Sequence, residues 1–213
     1  MTGDLLDILP DQIEMNVLTH KSILPFKVAS ISAVLVHRIA ELSKTSLNLY
    51  DEKKYLPAFI LTRSVVETAA LLYCLHIYVE TFHEDHDADK LNKLFLKRVL
   101  TGCRFKDAKY QAYSAITAVQ KLDKVVEGIY CEYEELSEFL HPNWSGAMGA
   151  FGKIDQKISV LELGKEQRSL KPVIGLLPFS LSLFVAIEYY KSLLRLIQEM
   201  NEYFEGHVGR EPM

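Results

Sequence analysis

Two opposite charges lie inside an apolar run of the sequence. Arg63 and Glu67 are four residues apart, so a helix places both on one face, and residues 59–75 around them are mostly aliphatic. Charges in such surroundings are costly unless they are paired and hydrogen-bonded. The pattern predicts one of two roles: a structural ion pair that joins helices, or a partly buried functional site.

A second group of polar side chains recurs at helical spacing. Tyr133, Ser137 and His141 stand four residues apart and form a stripe on one helix face. Pro142 disfavours the α conformation at His141, so this histidine lies at or just past the helix end, where the helix dipole favours the imidazolium form. His141 is therefore either an acid–base group or a helix cap. The predicted pocket around the stripe also includes Tyr130 and Asn143.

Two Glu-x-x-His pairs match the ligand spacing of di-iron carboxylate bundles. They are Glu80 with His83 and Glu138 with His141, and both fall near the C-terminal ends of their predicted helices. A di-metal site then needs a glutamate near the start of the first helix, whose single acid, Glu41, lies towards the far end. We expect no metal site and no other cofactor.

Charge is unevenly distributed along the chain. Residues 90–109 hold seven Lys and Arg residues against one acid, whereas residues 125–152 hold five glutamates and no Lys or Arg. A basic segment can contact phosphates, although many such segments are only a solvated face. The candidate phosphate contacts are Lys93, Lys97, Arg98 and Arg104.

The overall composition is that of a soluble globular domain. The 213 residues carry 24 Lys and Arg against 28 Asp and Glu, a net charge of −4, and 49% of them are hydrophobic. These values exclude collagen-like, low-complexity and disordered classes. The mild acidity argues against a nucleic-acid-binding surface over the whole molecule. We expect a single helical domain over residues 1–213, with its core at about 22–205.

Cysteine usage and hydropathy indicate a cytoplasmic protein. Cys74, Cys103 and Cys131 are odd in number and show no CxxC spacing, which is typical of a reducing compartment, and Cys74 is expected in the core. Residues 1–10 lack the basic start and apolar stretch of a signal peptide. The uncharged run 172–187 is shorter than a membrane span and predicts a buried helix. We expect no membrane partner.

Helical periodicity dominates the sequence and predicts an all-α fold. An antiparallel bundle of about five long helices follows, because polar breaks between the periodic stretches are short. Glycines in residues 145–152 interrupt the pattern, and 157–163 alternate, so a short hairpin or irregular insertion is expected around 145–165. The predicted helices span about 22–49, 56–79 or slightly beyond, 89–100, 109–140 in one or two pieces, and 171–205.

Two motifs resemble those of a known family. Arg63-Ser-Val-Val-Glu67 on one long helix, followed by Tyr-Glu-Glu-Leu-Ser-Glu-Phe-Leu-His-Pro at 133–142, resembles an uncharacterised bacterial group of HEPN-like helical proteins over roughly residues 25–200. The resemblance implies an α-helical bundle that often dimerises. Many HEPN proteins are metal-independent RNases of toxin–antitoxin and antiviral systems, while others are non-catalytic binding modules.

The resemblance carries over only one catalytic residue, His141. The family places an Arg shortly before this His, where the present chain has Glu134, Glu135 and Leu136. Arg63 from the neighbouring helix is the candidate replacement, oriented by Glu67. The implied function is a homodimeric, defence- or stress-linked RNA-processing module with a degenerate RNase site. The alternative is a non-enzymatic interaction or structural module whose polar cluster ties helices together.

Overall fold

The computed structural model describes residues 9–18, 21–100, 102–103, 105, 107–164 and 170–206. Its helices are α1 (Met15–Leu18), α2 (Leu24–Asp51), α3 (Tyr55–Asp85), α4 (Ala88–Leu91), α5 (Lys97–Leu100), α6 (Ala115–Leu122), α7 (Ile129–Glu138), α8 (Gly149–Phe151) and α9 (Val173–Gly206). Two π-helical turns, Asn92–Leu96 and Trp144–Met148, lie between α4 and α5 and before α8. One hairpin consists of β1 (Gly152–Asp155) and β2 (Val160–Leu163). The predicted mainly helical fold is confirmed.

Helix α3 is the centre of the molecule. It packs against α2, α6, α7 and α9, and its buried residues lie all round its circumference. A helix that is apolar on every side belongs in a core. Cys74 is buried on this helix, as expected, and the cysteines of the described chain are unpaired.

The α2–α3 corner fixes one end of the bundle. Three residues separate the two helices, so they run antiparallel, and Lys53 in this turn takes a positive φ of 58°. Buried hydroxyls join the helices here: the Tyr50 hydroxyl lies 3.0 Å from Thr62 Oγ1, and Ser46 Oγ donates to the Ala58 carbonyl at 3.2 Å. The hydroxyls of Ser46, Tyr50 and Thr62 are therefore satisfied within the corner.

Helix α9 closes this end of the core. Gly175 allows a close approach, because a Cβ built there lies 1.9 Å from the Tyr50 hydroxyl and 2.7 Å from Phe59 Cδ1. Pro178 lies inside the helix and is buried. One face of α9 contacts the core and the other faces solvent.

Helices α3 and α9 are also long and apolar enough to cross a membrane, by length and composition alone. Their most apolar windows are 67% and 50% buried in the structure, and core helices of soluble proteins meet the same criterion. The predicted burial of residues 172–187 therefore holds for one face of the helix. The expectation that the protein has no membrane partner stays a prediction.

The predicted 109–140 segment forms two helices. Residues 109–114 are not helical, and α6 begins after Ser114, whose hydroxyl accepts a hydrogen bond from the Thr117 amide at 3.3 Å. Gly128, with a φ of 88°, precedes α7 and turns the chain. These two helices cover one side of α3.

The expected insertion is a hairpin. Gly152 pairs with Leu163 and Asp155 with Val160 in an antiparallel register. The turn before β2 contains Ser159 at a φ of 52°. All residues of β2 are exposed, so both faces of the hairpin meet solvent.

Candidate functional site

Helices α3 and α7 bring four of the predicted site residues together. Arg63 Nε donates to Ser137 Oγ at 2.8 Å, and Arg63 Nη2 donates to the Tyr133 hydroxyl at 2.5 Å. The same Nη2 lies 3.0 Å from Glu67 Oε1. The four side chains meet because each helix carries a polar pair at four-residue spacing. Such spacing places both members of a pair on one helix face, and the two faces are in contact.

Tyr133 links the two charges. Its hydroxyl donates to Glu67 Oε1 at 2.9 Å while accepting from Arg63, and its ring centroid lies 4.7 Å from the guanidinium carbon. Burial and the bond to Glu67 raise the pKa of the Tyr133 hydroxyl, against the opposing charge of Arg63. The phenol therefore stays protonated and acts as a donor, not as a base.

The four side chains form one hydrogen-bonded set, here called the Arg63 cluster: Arg63, Glu67, Tyr133 and Ser137. Ser137 completes it by donating to the Tyr133 carbonyl at 2.8 Å. The side chains of Arg63 and Glu67 are each 22% exposed, so the pair is mostly desolvated and strengthened by its neutral partners. Chemically the arrangement holds a charge pair in place.

A cavity of about 350 Å³ opens beside the Arg63 cluster. Arg63, Glu67 and Tyr133 form one wall, and residues 111–116 form the other. Reasoning from the sequence missed this second wall because it included 109–114 in a helix. The signal that identifies the break is Ser114, a favoured N-cap residue just before an apolar helical repeat.

Behind this wall, aromatic rings surround a lysine. Lys121 Nζ donates to the Tyr113 hydroxyl at 3.0 Å and lies 4.8 Å from the Tyr78 ring centroid. On the other side of Tyr113, the Arg98 guanidinium lies 5.1 Å from its ring centroid. Burial raises the pKa of the Tyr113 hydroxyl and of the Cys74 thiol, so both stay protonated at neutral pH.

His141 is not brought into this cavity. It is exposed in the turn after α7, and within the described chain its imidazole makes no hydrogen bond or ion pair. Asn143 lies outside the cavity as well: its side chain accepts from the Gly146 amide at 3.0 Å and donates to Glu138 at 2.9 Å. Tyr130 lies beside the cluster, with its ring stacked 6.3 Å from that of Tyr133.

The basic segment is partly neutralised. Lys93 Nζ forms an ion pair with Asp89 Oδ2 at 2.7 Å. Asp89 lies one residue before the basic segment 90–109. Lys97 lies over the Tyr110 ring at 5.5 Å, and Arg98 Nε donates to the Gln111 carbonyl at 3.3 Å. Phosphate contact by these residues stays a prediction. The fourth candidate, Arg104, lies outside the described residues.

Within the described ranges, no group of three or more His, Cys, Asp or Glu residues is arranged to hold a metal ion. The Glu-x-x-His histidine of α3, His83, has its Nε2 3.0 Å from the Leu196 carbonyl oxygen.

Comparisons with protein-family models, with curated proteins and with solved structures find no match to this chain.

Proposed function

We propose that this chain is a HEPN-like helical interaction module in which the Arg63 cluster fastens α3 to α7 and does not cleave RNA. The observation that carries the proposal is the engagement of Arg63. Its Nε and Nη2 donors point at Ser137, Tyr133 and Glu67. A guanidinium that stabilises charge on a phosphate needs those donors aimed at the substrate.

The surroundings of His141 support the same conclusion. A general base must lie within hydrogen-bond reach of the group it deprotonates, together with the residue that stabilises charge. His141 is exposed beyond the end of α7, and Glu132, Glu134, Glu135 and Glu138 on that helix repel an RNA backbone.

RNA cleavage in the presence of a chelator tests the catalytic side of the proposal. We expect the wild type and His141→Ala to leave a mixed-sequence single-stranded RNA equally intact, because His141 does not face Arg63 and Glu67 is paired with it. The alternative, a defence- or stress-linked RNA-processing module with a metal-independent RNase site, predicts cleavage that His141→Ala removes. That result would replace our proposal.

Thermal unfolding tests the structural side. Arg63→Ala leaves Glu67 without its cation in a mostly buried setting, so we expect the free energy of unfolding to fall by about 2–4 kcal/mol, or about 5–10 °C in Tm. The matched control is Arg38→Ala on α2, whose exposed side chain makes one bond to Thr68; it should change Tm by no more than about 2 °C. Equal melting midpoints for the two variants would contradict the proposed role of Arg63.

Tyr133→Phe refines this test, because it removes one hydroxyl and keeps the ring. That hydroxyl bridges Arg63 and Glu67. We expect a loss of about 1–2 kcal/mol in the free energy of unfolding, measured by urea titration. In the Arg63→Ala background the same substitution should cost less, since the two side chains act as one network.

A further inference from the structure

A second polar cluster joins α3 to α9, away from the cavity. His76 follows Glu67 by nine residues, which is two and a half helical turns, so it lies on the opposite side of α3. His76 Nε2 lies 2.9 Å from Ser192 Oγ, and His76 Nδ1 lies 3.3 Å from Glu80 Oε2. Arg195 Nη2 donates to the same Ser192 Oγ at 3.3 Å.

The position of Glu80 favours one of the two possible directions of the Ser192–His76 bond, because a carboxylate beside His76 Nδ1 favours the tautomer with its proton on Nδ1. A guanidinium is a donor only, so Ser192 Oγ accepts from Arg195 and keeps a proton that it can donate to His76 Nε2 in that tautomer. If Nε2 accepts, the proton of the neutral imidazole is on Nδ1, which faces the Glu80 carboxylate. Hydroxyl, imidazole and carboxylate thus follow each other in the sequence of a Ser–His–acid triad.

The Glu80 contact is within ion-pair distance but is not aligned as a hydrogen bond, and in the described chain the buried His76 Nδ1 has no other partner. The Glu80 side chain is 54% exposed, so a change of its rotamer can align the carboxylate. Catalytic hydrogen bonds are often this loose before a substrate binds.

His76 has the protonation state that a general base needs. It is 6% exposed, and burial lowers the pKa of its imidazole, with Arg195 acting in the same direction and Glu80 against it. The imidazole is therefore neutral at neutral pH, and with its proton on Nδ1 beside Glu80 the lone pair is on Nε2. Tyr189 packs edge-on against the imidazole, with ring centroids 4.9 Å apart, and holds its plane.

We propose that Ser192, His76 and Glu80 form a nucleophilic serine site that reacts with small activated acyl esters. Ser192 is half-buried and Arg195 is exposed, so the site opens to solvent at its rim. The proposal is independent of the function argued for the Arg63 cluster, because the two sites share no residue.

The reaction balances as a simple acyl transfer. Ser192 Oγ forms a bond to the carbonyl carbon while its proton passes to His76 Nε2. The bond from that carbon to the leaving oxygen then breaks, and the alcohol departs with the proton from His76. Water, deprotonated by His76, hydrolyses the acyl-serine and restores the hydroxyl.

The remaining groups have separate tasks. Glu80 is a positioning residue that orients His76 and stabilises its imidazolium. The backbone amide of Ser192 is inside α9, where helical bonding uses it, so Arg195 supplies the N–H donor for the oxyanion.

A biotin-linked fluorophosphonate tests the site, because it forms a phosphorus–oxygen bond with an activated serine and releases fluoride. With the full-length chain at neutral pH, we expect one adduct, which peptide mapping places on Ser192. Ser192→Ala and His76→Asn should slow labelling by about 100-fold or more. The control is Ser180→Ala on the same helix, an exposed serine bonded to the Leu176 carbonyl, which should label like the wild type.

Two surface variants keep the test decisive if His76→Asn fails to fold. Glu80→Gln should lower the maximal labelling rate while the probe concentration at half-maximal rate and the melting midpoint stay unchanged. Glu80→Asp should recover part of that rate. An unlabelled Ser192 in the folded wild type, or equal labelling of wild type and Glu80→Gln, would overturn the proposal.

Discussion

Core tyrosines of this protein keep their protons into alkaline solution. Burial raises the pKa of Tyr50 to about 12, although its bond to Thr62 acts in the opposite direction. Burial also raises the pKa of Tyr133 and Tyr190. These phenols have a structural role. The folded protein contains each of them in the neutral form, and ionisation of a buried phenol favours the unfolded state.

This coupling predicts alkaline destabilisation. In the unfolded chain Tyr50 titrates near its ordinary pKa of about 10, whereas in the fold it titrates near 12. Stability from the neutral phenol is complete below pH 10 and is lost as the pH rises from about 10 to 12, by about 1.4 kcal/mol per pH unit. Urea unfolding across this range measures it. Tyr50→Phe should give a shallower pH slope than the wild type, and identical slopes would contradict the coupling.

Residue spacing predicted part of the candidate site. The four-residue repeats of Arg63 with Glu67 and of Tyr133 with Ser137 hold in the structure because all four residues lie within helices. His141 follows Ser137 at the same four-residue spacing, but α7 ends at Glu138 and a turn follows. Four-residue spacing predicts a shared face only inside a helix. The prediction therefore does not hold for His141, the residue that was expected to be catalytic.

At the scale of elements, periodicity located the long helices but extended one of them over residues 109–114, which are not helical. The segment 109–114 has helical composition, yet Ser114 caps α6 with its own side chain. The hydrogen bond from the Thr117 amide to the capping hydroxyl lets a helix begin at this point. The spacing of hydrophobic residues carries no information about such a bond. The second wall of the cavity consists of this missed segment. Ser114 marks the helix break in the sequence, but the position of this segment opposite Arg63 depends on the packing of α6 against α3.

The start of α9 gives the sharpest packing prediction. Gly175→Ala puts a methyl group into the Tyr50 hydroxyl and the Phe59 ring, so we expect a loss of about 2 kcal/mol or more in the free energy of unfolding, or at least about 4 °C in Tm.

The matched control for this packing test is Gly206→Ala in the last turn of α9, where an added Cβ meets nothing within 4 Å. This change should be neutral or slightly stabilising, since alanine favours helix over glycine by up to about 1 kcal/mol. A Gly175→Ala variant as stable as Gly206→Ala would mean that the helices do not approach this closely in solution.

At the scale of the whole molecule, one surface is unusually apolar. Val173, Leu177 and Phe184 line the solvent face of α9, and Phe184 is 59% exposed. No charged residue occurs between 172 and 187. Large exposed apolar patches mark contacts with proteins or membranes. We propose this face as the contact surface of the homodimer that the HEPN resemblance implies.

Phe184→Glu tests that assignment, because two copies of a charge at a two-fold contact repel each other. We expect the wild type to sediment with twice the mass of one chain and Phe184→Glu as a monomer. Val34→Glu, at an exposed apolar position on α2, should remain dimeric. A monomeric wild type that floats with lipid vesicles would instead assign the α9 face to a membrane surface.

The proline inside α9 has a consequence for local opening. Pro178 has no N–H, so the carbonyl of Ile174 loses its helical partner, and Gly175 adds backbone freedom in the same turn. The first turns of α9 therefore have one helical hydrogen bond fewer than the rest of the helix, and Gly175 packs closely against Tyr50 and Phe59 there. We expect amide hydrogen exchange to show this difference in stability along α9, with residues 174–177 exchanging well before residues 190–200. The bundle can thus open at one end while the rest of its core stays protected.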